Sequence, residues 1–154
     1  MIQVGHKAYD FALRDQNKKL VRLSSYKGKK VLLSFRPLAW TPLCHDQMIS
    51  LENSYQRFEE LNAVAFGIGV DSVPSNKAWA DVMEIEKTEL LSDFWPHGAI
   101  AQTYGVFRDK DGFSERANIV IDEEQKVIFA KIYPLNKLPN IEEVLEFLET
   151  HKTR

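Results

Sequence analysis

Apolar positions fall into short runs and helical stripes that alternate along the chain. Residues 31–35 form an apolar run after the turn-forming Tyr26-Lys27-Gly28-Lys29, which predicts a buried strand. Pro37 and Pro42 then enforce a loop, because proline fixes φ and withholds a donor. Over residues 43–61, Met48, Leu51, Tyr55, Phe58 and Leu61 recur at steps of three and four, with Glu52, Gln56, Glu59 and Glu60 between them. That spacing predicts one amphipathic helix with Cys44 in its first turn.

Residues 63–70 read as the next buried strand, and Pro74-Ser75 opens a second helix that runs to Met83. A short strand near Leu90-Leu91 and a helix over 97–104 follow. Two β-rich runs, 116–122 and 126–133, flank the polar Glu123-Glu124-Gln125 and predict an antiparallel hairpin. Ile141, Val144, Leu145 and Leu148 mark the buried face of a closing helix, with Glu142, Glu143, Glu146 and Glu149 toward water. The β-α-β-α order implies parallel pairing, so the expected class is α/β, a central mixed sheet flanked by helices.

With 154 residues, 44% of them hydrophobic, and no repeat or low-complexity linker, one domain over 1–154 is expected. Twenty basic against 22 acidic residues give a net charge of -2 and no basic half, which argues against nucleic acid or an anionic membrane as partner. Lys27-Gly28-Lys29-Lys30 reads as a solvated basic turn. Residues 63–70, the longest apolar run, fall far short of the roughly 20 that span a bilayer. The start, MIQVGHKAYDFALRD, has no uninterrupted apolar stretch of the secretory kind, so a cytoplasmic location is expected.

Cys44 is the only cysteine, which precludes an intrachain disulfide and a thiolate-rich zinc site. His6, His97 and His151 are scattered without ligand spacing, so neither metal nor other cofactor is expected. His45 points about 100° away from Cys44 on a helix and reads as solvated rather than as a catalytic partner. Gly67-Ile68-Gly69 echoes a dinucleotide loop only faintly, with Ser72 where a third glycine belongs, and reads as a strand end. Trp79, Trp95, Phe94 and Phe107 are assigned mostly to the core.

The segment Pro37-Leu38-Ala39-Trp40-Thr41-Pro42-Leu43-Cys44 sets a hydroxyl and a thiol three residues apart where a strand-to-helix loop becomes helix. Unpaired N–H groups and the helix dipole there favour an anion over a neutral thiol. By themselves these residues also fit plainer roles: a buried cysteine, a capping threonine, an exposed arginine at position 116.

The pattern Pro-x-x-x-Thr-x-x-Cys, met by Pro37, Thr41 and Cys44, resembles the peroxiredoxin family. Val4-Gly5, Asp10-Phe11, Asp71-Ser72, Ser92-Asp93-Phe94 and Tyr104-Gly105-Val106 extend the likeness in family order. The stretch 93–99 and the lack of a second cysteine look most like the one-cysteine branch typified by alkyl hydroperoxide reductase E. The resemblance implies a thioredoxin-like fold and a thiol-dependent peroxidase. In that reading the Cys44 thiolate attacks hydrogen peroxide or an organic hydroperoxide and becomes a sulfenic acid. Thr41 would hydrogen-bond the reacting atoms, Pro37 would shield the site, and Arg116, placed before a strand, would approach the sulfur.

An external thiol would restore Cys44: a low-molecular-weight thiol or a thioredoxin-like or glutaredoxin-like protein. A homodimer is also implied. Two positions depart from the family pattern near the reaction: Gln47 stands where an acidic residue is common, and Arg36 where an aromatic is common. Gln47 can still hydrogen-bond an arginine without charge, and Arg36 is read either as compensating for it or as solvated. Tyr9 replaces the usual proline before Asp10-Phe11. A disulfide oxidoreductase is disfavoured because Cys44-His45-Asp46-Gln47 lacks a second thiol. A peroxide sensor using the same cysteine is the alternative reading.

Overall fold

The computed structural model describes residues 1–152. The chain enters through a hairpin, β1 (Ala12–Arg14) and β2 (Leu20–Arg22), then a 3-10 turn at Leu23–Tyr26. β3 (Lys30–Phe35), α1 (Pro42–Asn53), α2 (Tyr55–Glu60), β4 (Ala63–Gly69), α3 (Val73–Met83) and β5 (Glu89–Ser92) follow. After α4 (Ala99–Thr103) and a two-residue hairpin, β6 (Phe107–Arg108) with β7 (Phe113–Ser114), come β8 (Arg116–Ile121), β9 (Val127–Tyr133) and α5 (Ile141–Thr150).

The main sheet has the order β5-β4-β3-β8-β9. β3, β4 and β5 run parallel, whereas β8 is antiparallel to β3 and to β9, so the sheet is mixed and flanked by helices as expected. Strand alternation sorts the two cores. Val31, Leu33 and Phe35 pack with Phe11, Val21, Tyr104 and Val106 on one face, while Leu32 packs with Met48, Leu51, Phe58, Trp79 and Leu148 on the other. The second face carries Cys44. Each fully buried Leu, Met or Phe stabilises by about 1.5–3 kcal/mol, so α1 is held down chiefly by Met48 and Leu51.

Four expectations change. The stripe over 43–61 is two helices, not one: Asn53-Ser54 interrupt it, and Ser54 has φ -99 and ψ 4 with its N–H bonded back to Leu51 O. Asn and Ser compete locally for backbone groups, and an apolar stripe cannot reveal a break that preserves its phase. The hairpins β1–β2 and β6–β7 escaped notice because two- and three-residue strands carry no readable period. Lys30 is not in a solvated turn; it is buried at the start of β3, with Nζ 2.9 Å from Glu123 Oε2. Phe94 and Trp95 are 50% and 82% exposed rather than core, while Trp79 is buried as expected.

The glycines of β4 serve packing. A Cβ at Gly67 would lie 2.3 Å from Met48 Sδ, so Gly67 lets α1 settle directly onto the strand. Helix α1 is fastened at its far end by Glu52, whose carboxylate accepts N–H bonds from Glu86, Lys87 and Thr88 and the Thr88 hydroxyl, just ahead of β5. Partial burial raises the Glu52 pKa, but the bonds from Glu86, Thr88 and Lys87 outweigh it and leave the carboxyl below its ordinary value.

A depressed folded-state pKa stabilises above the unfolded value and loses that contribution as pH falls through the folded one. Glu52→Gln is therefore expected to lower stability by about 1 kcal/mol at pH 7, because the carboxylate stays partly in water. The deficit relative to wild type should shrink below about pH 4. Urea denaturation at pH 7 and pH 3.5 checks both; a deficit equal at the two values rules out the ionised carboxylate as its source.

Candidate active site

The loop between β3 and α1 is shaped before any side chain reacts. Pro37 is buried where the chain leaves β3, and Ala39 N–H donates to Asp71 Oδ2 at 2.8 Å. Trp40 takes a left-handed φ of 68, which in a non-glycine residue is strained by about 1–3 kcal/mol and must be held by its surroundings. Its Nε1 donates to Ser75 Oγ at 3.1 Å. Ser92 Oγ donates to Asp71 O at 2.7 Å, so this acidic residue is braced from β5 while it grips the loop.

Thr41 occupies the N-cap of α1 without capping it: its hydroxyl donates to Leu38 O at 2.8 Å instead. The hydroxyl hydrogen is thus committed, and the oxygen keeps lone pairs to accept a bond. Pro42 at the next position has no N–H, and the first intrahelical bond runs from His45 N to Thr41 O. The unpaired donors of the first turn are therefore the Leu43 and Cys44 N–H groups.

Cys44 is completely buried and reduced. Arg116, at the start of β8 and 4% exposed, points Nη1 at Cys44 Sγ from 3.3 Å. Its guanidinium plane is fixed on the other side, where Nε and Nη2 both donate to Leu135 O at 3.2 and 3.0 Å. Nη1 also donates to Gln47 Oε1 at 2.8 Å. Gln47 thus reaches the arginine through a neutral oxygen. His45 is half-exposed and pairs with Asp46 at 3.1 Å, away from this cluster.

The orientation of Gln47 is itself determined. Its Nε2 donates to Ser34 Oγ at 2.7 Å and to Phe35 O at 3.1 Å, which leaves Oε1 for the arginine. Ser34 Oγ donates in turn to Asn118 Oδ1 at 2.8 Å, and Asn118 Nδ2 reaches Tyr133 Oη at 3.5 Å. Tyr133 Oη closes the chain on Glu143 Oε1 at 2.5 Å. Sequence reasoning missed Ser34 and Asn118. The signal was there: each is a polar residue among the apolar interior positions of its strand, where only a partnered group is tolerated.

Of the two readings of Arg36 the solvated one is excluded, for the residue is 0% exposed. Its Nη2 donates to Asn76 Oδ1 at 2.7 Å, lies 3.7 Å from Asp71 Oδ2, and its guanidinium stacks 4.9 Å over Trp79. Among the described residues no three or more His, Cys, Asp or Glu side chains gather in a way that could hold a metal.

A family model described as the AhpC/TSA family matches residues 4–130. Alkyl hydroperoxide reductase E of Mycobacterium tuberculosis is 43% identical over 133 residues, 86% of either chain. Peroxiredoxin 2 of Thermoplasma acidophilum is 32% identical over 151 residues, covering 95% of this chain and 74% of the relative. Among solved structures, Enterococcus faecalis AhpC has a TM-score of 0.89 at 25% identity, over 98% of this chain and 93% of that one. Peroxidoxin BcpB of Mycobacterium tuberculosis has 0.86 at 27%, over 99% and 100%.

Ser34→Ala is expected to cost about 1–3 kcal/mol, since it strands a buried Asn118 oxygen and one Gln47 proton. In an Asn118→Ala background the same change should cost less, with a coupling of at least about 0.5 kcal/mol. A double-mutant cycle by urea denaturation measures it; strict additivity would show that the two side chains do not act as one chain of bonds.

Proposed function

The chain belongs to the AhpC/TSA family and is a thiol-dependent peroxidase; from that premise we propose the roles of its individual side chains and the way its cycle closes. The Cys44 thiolate attacks one oxygen of a hydroperoxide. The S–O bond forms as the O–O bond breaks, and the departing oxygen leaves as water or an alcohol once protonated. Sulfur is oxidised to the sulfenic level and the peroxide is reduced.

The observation that carries this reading is the 3.3 Å approach of Arg116 Nη1 to Cys44 Sγ inside a buried site. An arginine held there stabilises the anion on sulfur and, as the bond breaks, the charge moving onto the leaving oxygen. Thr41, with its own proton given to Leu38 O, accepts the hydroperoxide O–H and turns the reactive oxygen toward sulfur. The Leu43 and Cys44 N–H groups add donors at the helix start, and Pro37 keeps water from the buried side of the loop.

The return half of the cycle needs a thiol from outside the chain, because Cys44 is the only cysteine. The donor is a low-molecular-weight thiol or a thioredoxin-like or glutaredoxin-like protein. Cys44 is buried, so a mixed disulfide forms only after the first turn of α1 loosens. We place the protein in the cytoplasm, where such donors are abundant. A homodimer is supported by Phe94, Trp95 and Leu20, exposed together beside the start of α3, with Trp40 reaching the same helix through Ser75.

Without a thiol, purified protein should consume about one equivalent of peroxide per Cys44 and stall, then resume on addition of thiol with a mixed disulfide visible by intact-protein mass spectrometry. The same measurement separates turnover from a single signalling oxidation. Sustained consumption with no thiol would refute the cycle. Cys44→Ser should abolish peroxide reduction, and Arg116→Met should slow it about 100-fold while both variants remain folded. Stopped-flow peroxide kinetics decide; an Arg116→Met rate within a factor of two of wild type would remove its role. Trp95→Glu should yield monomer in sedimentation; a wild-type monomer would contradict the assembly.

A further inference from the structure

Carrying the β3–β8 register one residue past Phe35↔Ala117 sets Arg36 opposite Arg116, on the face that also bears Ser34 and Asn118. Like charges directly across a ladder repel, and both of these are buried. The three acceptors facing Arg116 are Leu135 O, Gln47 Oε1 and Cys44 Sγ, none of them a carboxylate. Arg36 has one, Asp71, at 3.7 Å, and Asp71 Oδ2 also serves Ala39 N–H. Arg36 Nε and Nη1 have no hydrogen-bond partner among the described residues.

Two buried guanidiniums thus share a single carboxylate, and the charges balance only when the Cys44 sulfur is negative. Burial pulls the Arg36 pKa below its ordinary value, and the charges of Asp71 and then Cys44 offset that only in part. The chain makes deliberate room for this cation: a Cβ at Gly69 would lie 2.1 Å from Arg36 Nη1.

We propose that Arg36 is a second cationic positioning residue of this site, which holds the Cys44 sulfur in its anionic forms, thiolate before peroxide and sulfenate after it. The inference rests on the peroxidase reading above. Thiolate and hydrogen peroxide give sulfenate and water, the departing hydroxide taking up the remaining peroxide proton, so the sulfur group carries one negative charge both before and after the step. Sulfenate is also the form that attacks a second peroxide, giving sulfinate and water with the charge again retained. Arg36 therefore sets how readily Cys44 is over-oxidised.

The charged groups around Cys44 are few. Arg116 touches it from β8, Arg36 lies across the ladder from Arg116 at the end of β3 and reaches the sulfur only through space, with Asp71 beside it, and α3 contributes the neutral Trp79 and Asn76. On α1 itself, His45 and Asp46 pair with each other in the solvent.

The test compares wild type with Arg36→Met and Arg36→Lys, following thiolate absorbance near 240 nm against pH and sulfinate formed per turnover by intact mass. Arg36→Met should move the ionisation midpoint up by about one pH unit and lower sulfinate per turnover several-fold, with Arg36→Lys recovering much of both. A folded Arg36→Met protein that titrates like wild type overturns the proposal. Should that variant not fold, Asp71→Asn, whose amide oxygen can still accept from Ala39, should move the midpoint down; no movement or an upward one overturns it. A wild-type protein inactive toward every hydroperoxide would instead remove the peroxidase reading, whereas an active wild type with an unshifted Arg36→Met removes the role of Arg36 alone.

Discussion

The contact between Arg116 Nη1 and Cys44 Sγ joins residues 72 apart in sequence, and most of the architecture can be traced to what that contact requires. Arg116 must leave the sheet beside the loop that follows β3, which the antiparallel placement of β8 against β3 provides. Cys44 must descend onto the same face, which needs α1 to begin where the loop ends and to lie flat on β4. Gly67 and Met48 permit the second, and Glu52 fastens the far end of the helix. A buried thiol facing a buried cation is intolerable unless both positions are determined from several sides. Accordingly Leu135 O fixes one edge of the guanidinium and Gln47 the other.

Gln47 shows how a substitution can keep geometry while changing charge. An acidic residue at that position would hold Arg116 and also offset its charge. The amide holds it and leaves the charge whole, but only if its oxygen faces the arginine. An amide has two ends, and without a donor-consuming neighbour it could turn either way. Ser34 and Phe35 O consume the nitrogen end, Asn118 consumes the Ser34 proton, and Tyr133 with Glu143 anchors Asn118. A neutral contact at the active site thus depends on polar residues of three strands and on helix α5. Interior polar chains of this kind rigidify when complete and destabilise when broken.

Sequence reading succeeded where physics is local and periodic, and failed where it is neither. The sheet strands, α3 and α5 carry clear stripes, and the loop-to-helix position of Cys44 follows from two prolines and an apolar period. Arg116 was reachable only through resemblance, since nothing near it in sequence announces a partner 72 residues away. Sequence left the surroundings of Arg36 open between a compensating and a solvated role, because a charged residue between a strand and a proline is ordinarily open to solvent. What buries it lies elsewhere: Gly69 clears a path, Trp79 offers a ring, and Asn76 and Asp71 supply acceptors. The break at Ser54 stayed hidden because Phe58 and Leu61 resume the apolar phase on the far side.

The magnitudes indicate where catalysis must come from. An ordinary thiol with pKa near 8.5 is about 3% ionised at pH 7, so complete ionisation gains only about 30-fold, roughly 2 kcal/mol. Beyond that point further stabilisation of the anion works against attack, because thiolate nucleophilicity falls with basicity along a slope of about 0.4–0.5. A pocket whose only merit was to hold a thiolate would therefore soon be self-limiting. The arginines escape that limit only if they serve the transition state better than the ground state. As the O–O bond breaks, negative charge migrates from sulfur toward the leaving oxygen, and a guanidinium already locked on Leu135 O and Gln47 need not reorganise to meet it. In the proposed mechanism Thr41 would contribute on the same terms, since a hydroxyl whose proton is fixed on Leu38 O presents its lone pairs in one direction and so would orient the peroxide for in-line attack. On that mechanism the rigid second half of each contact, remote from sulfur, is what would make the first half catalytic.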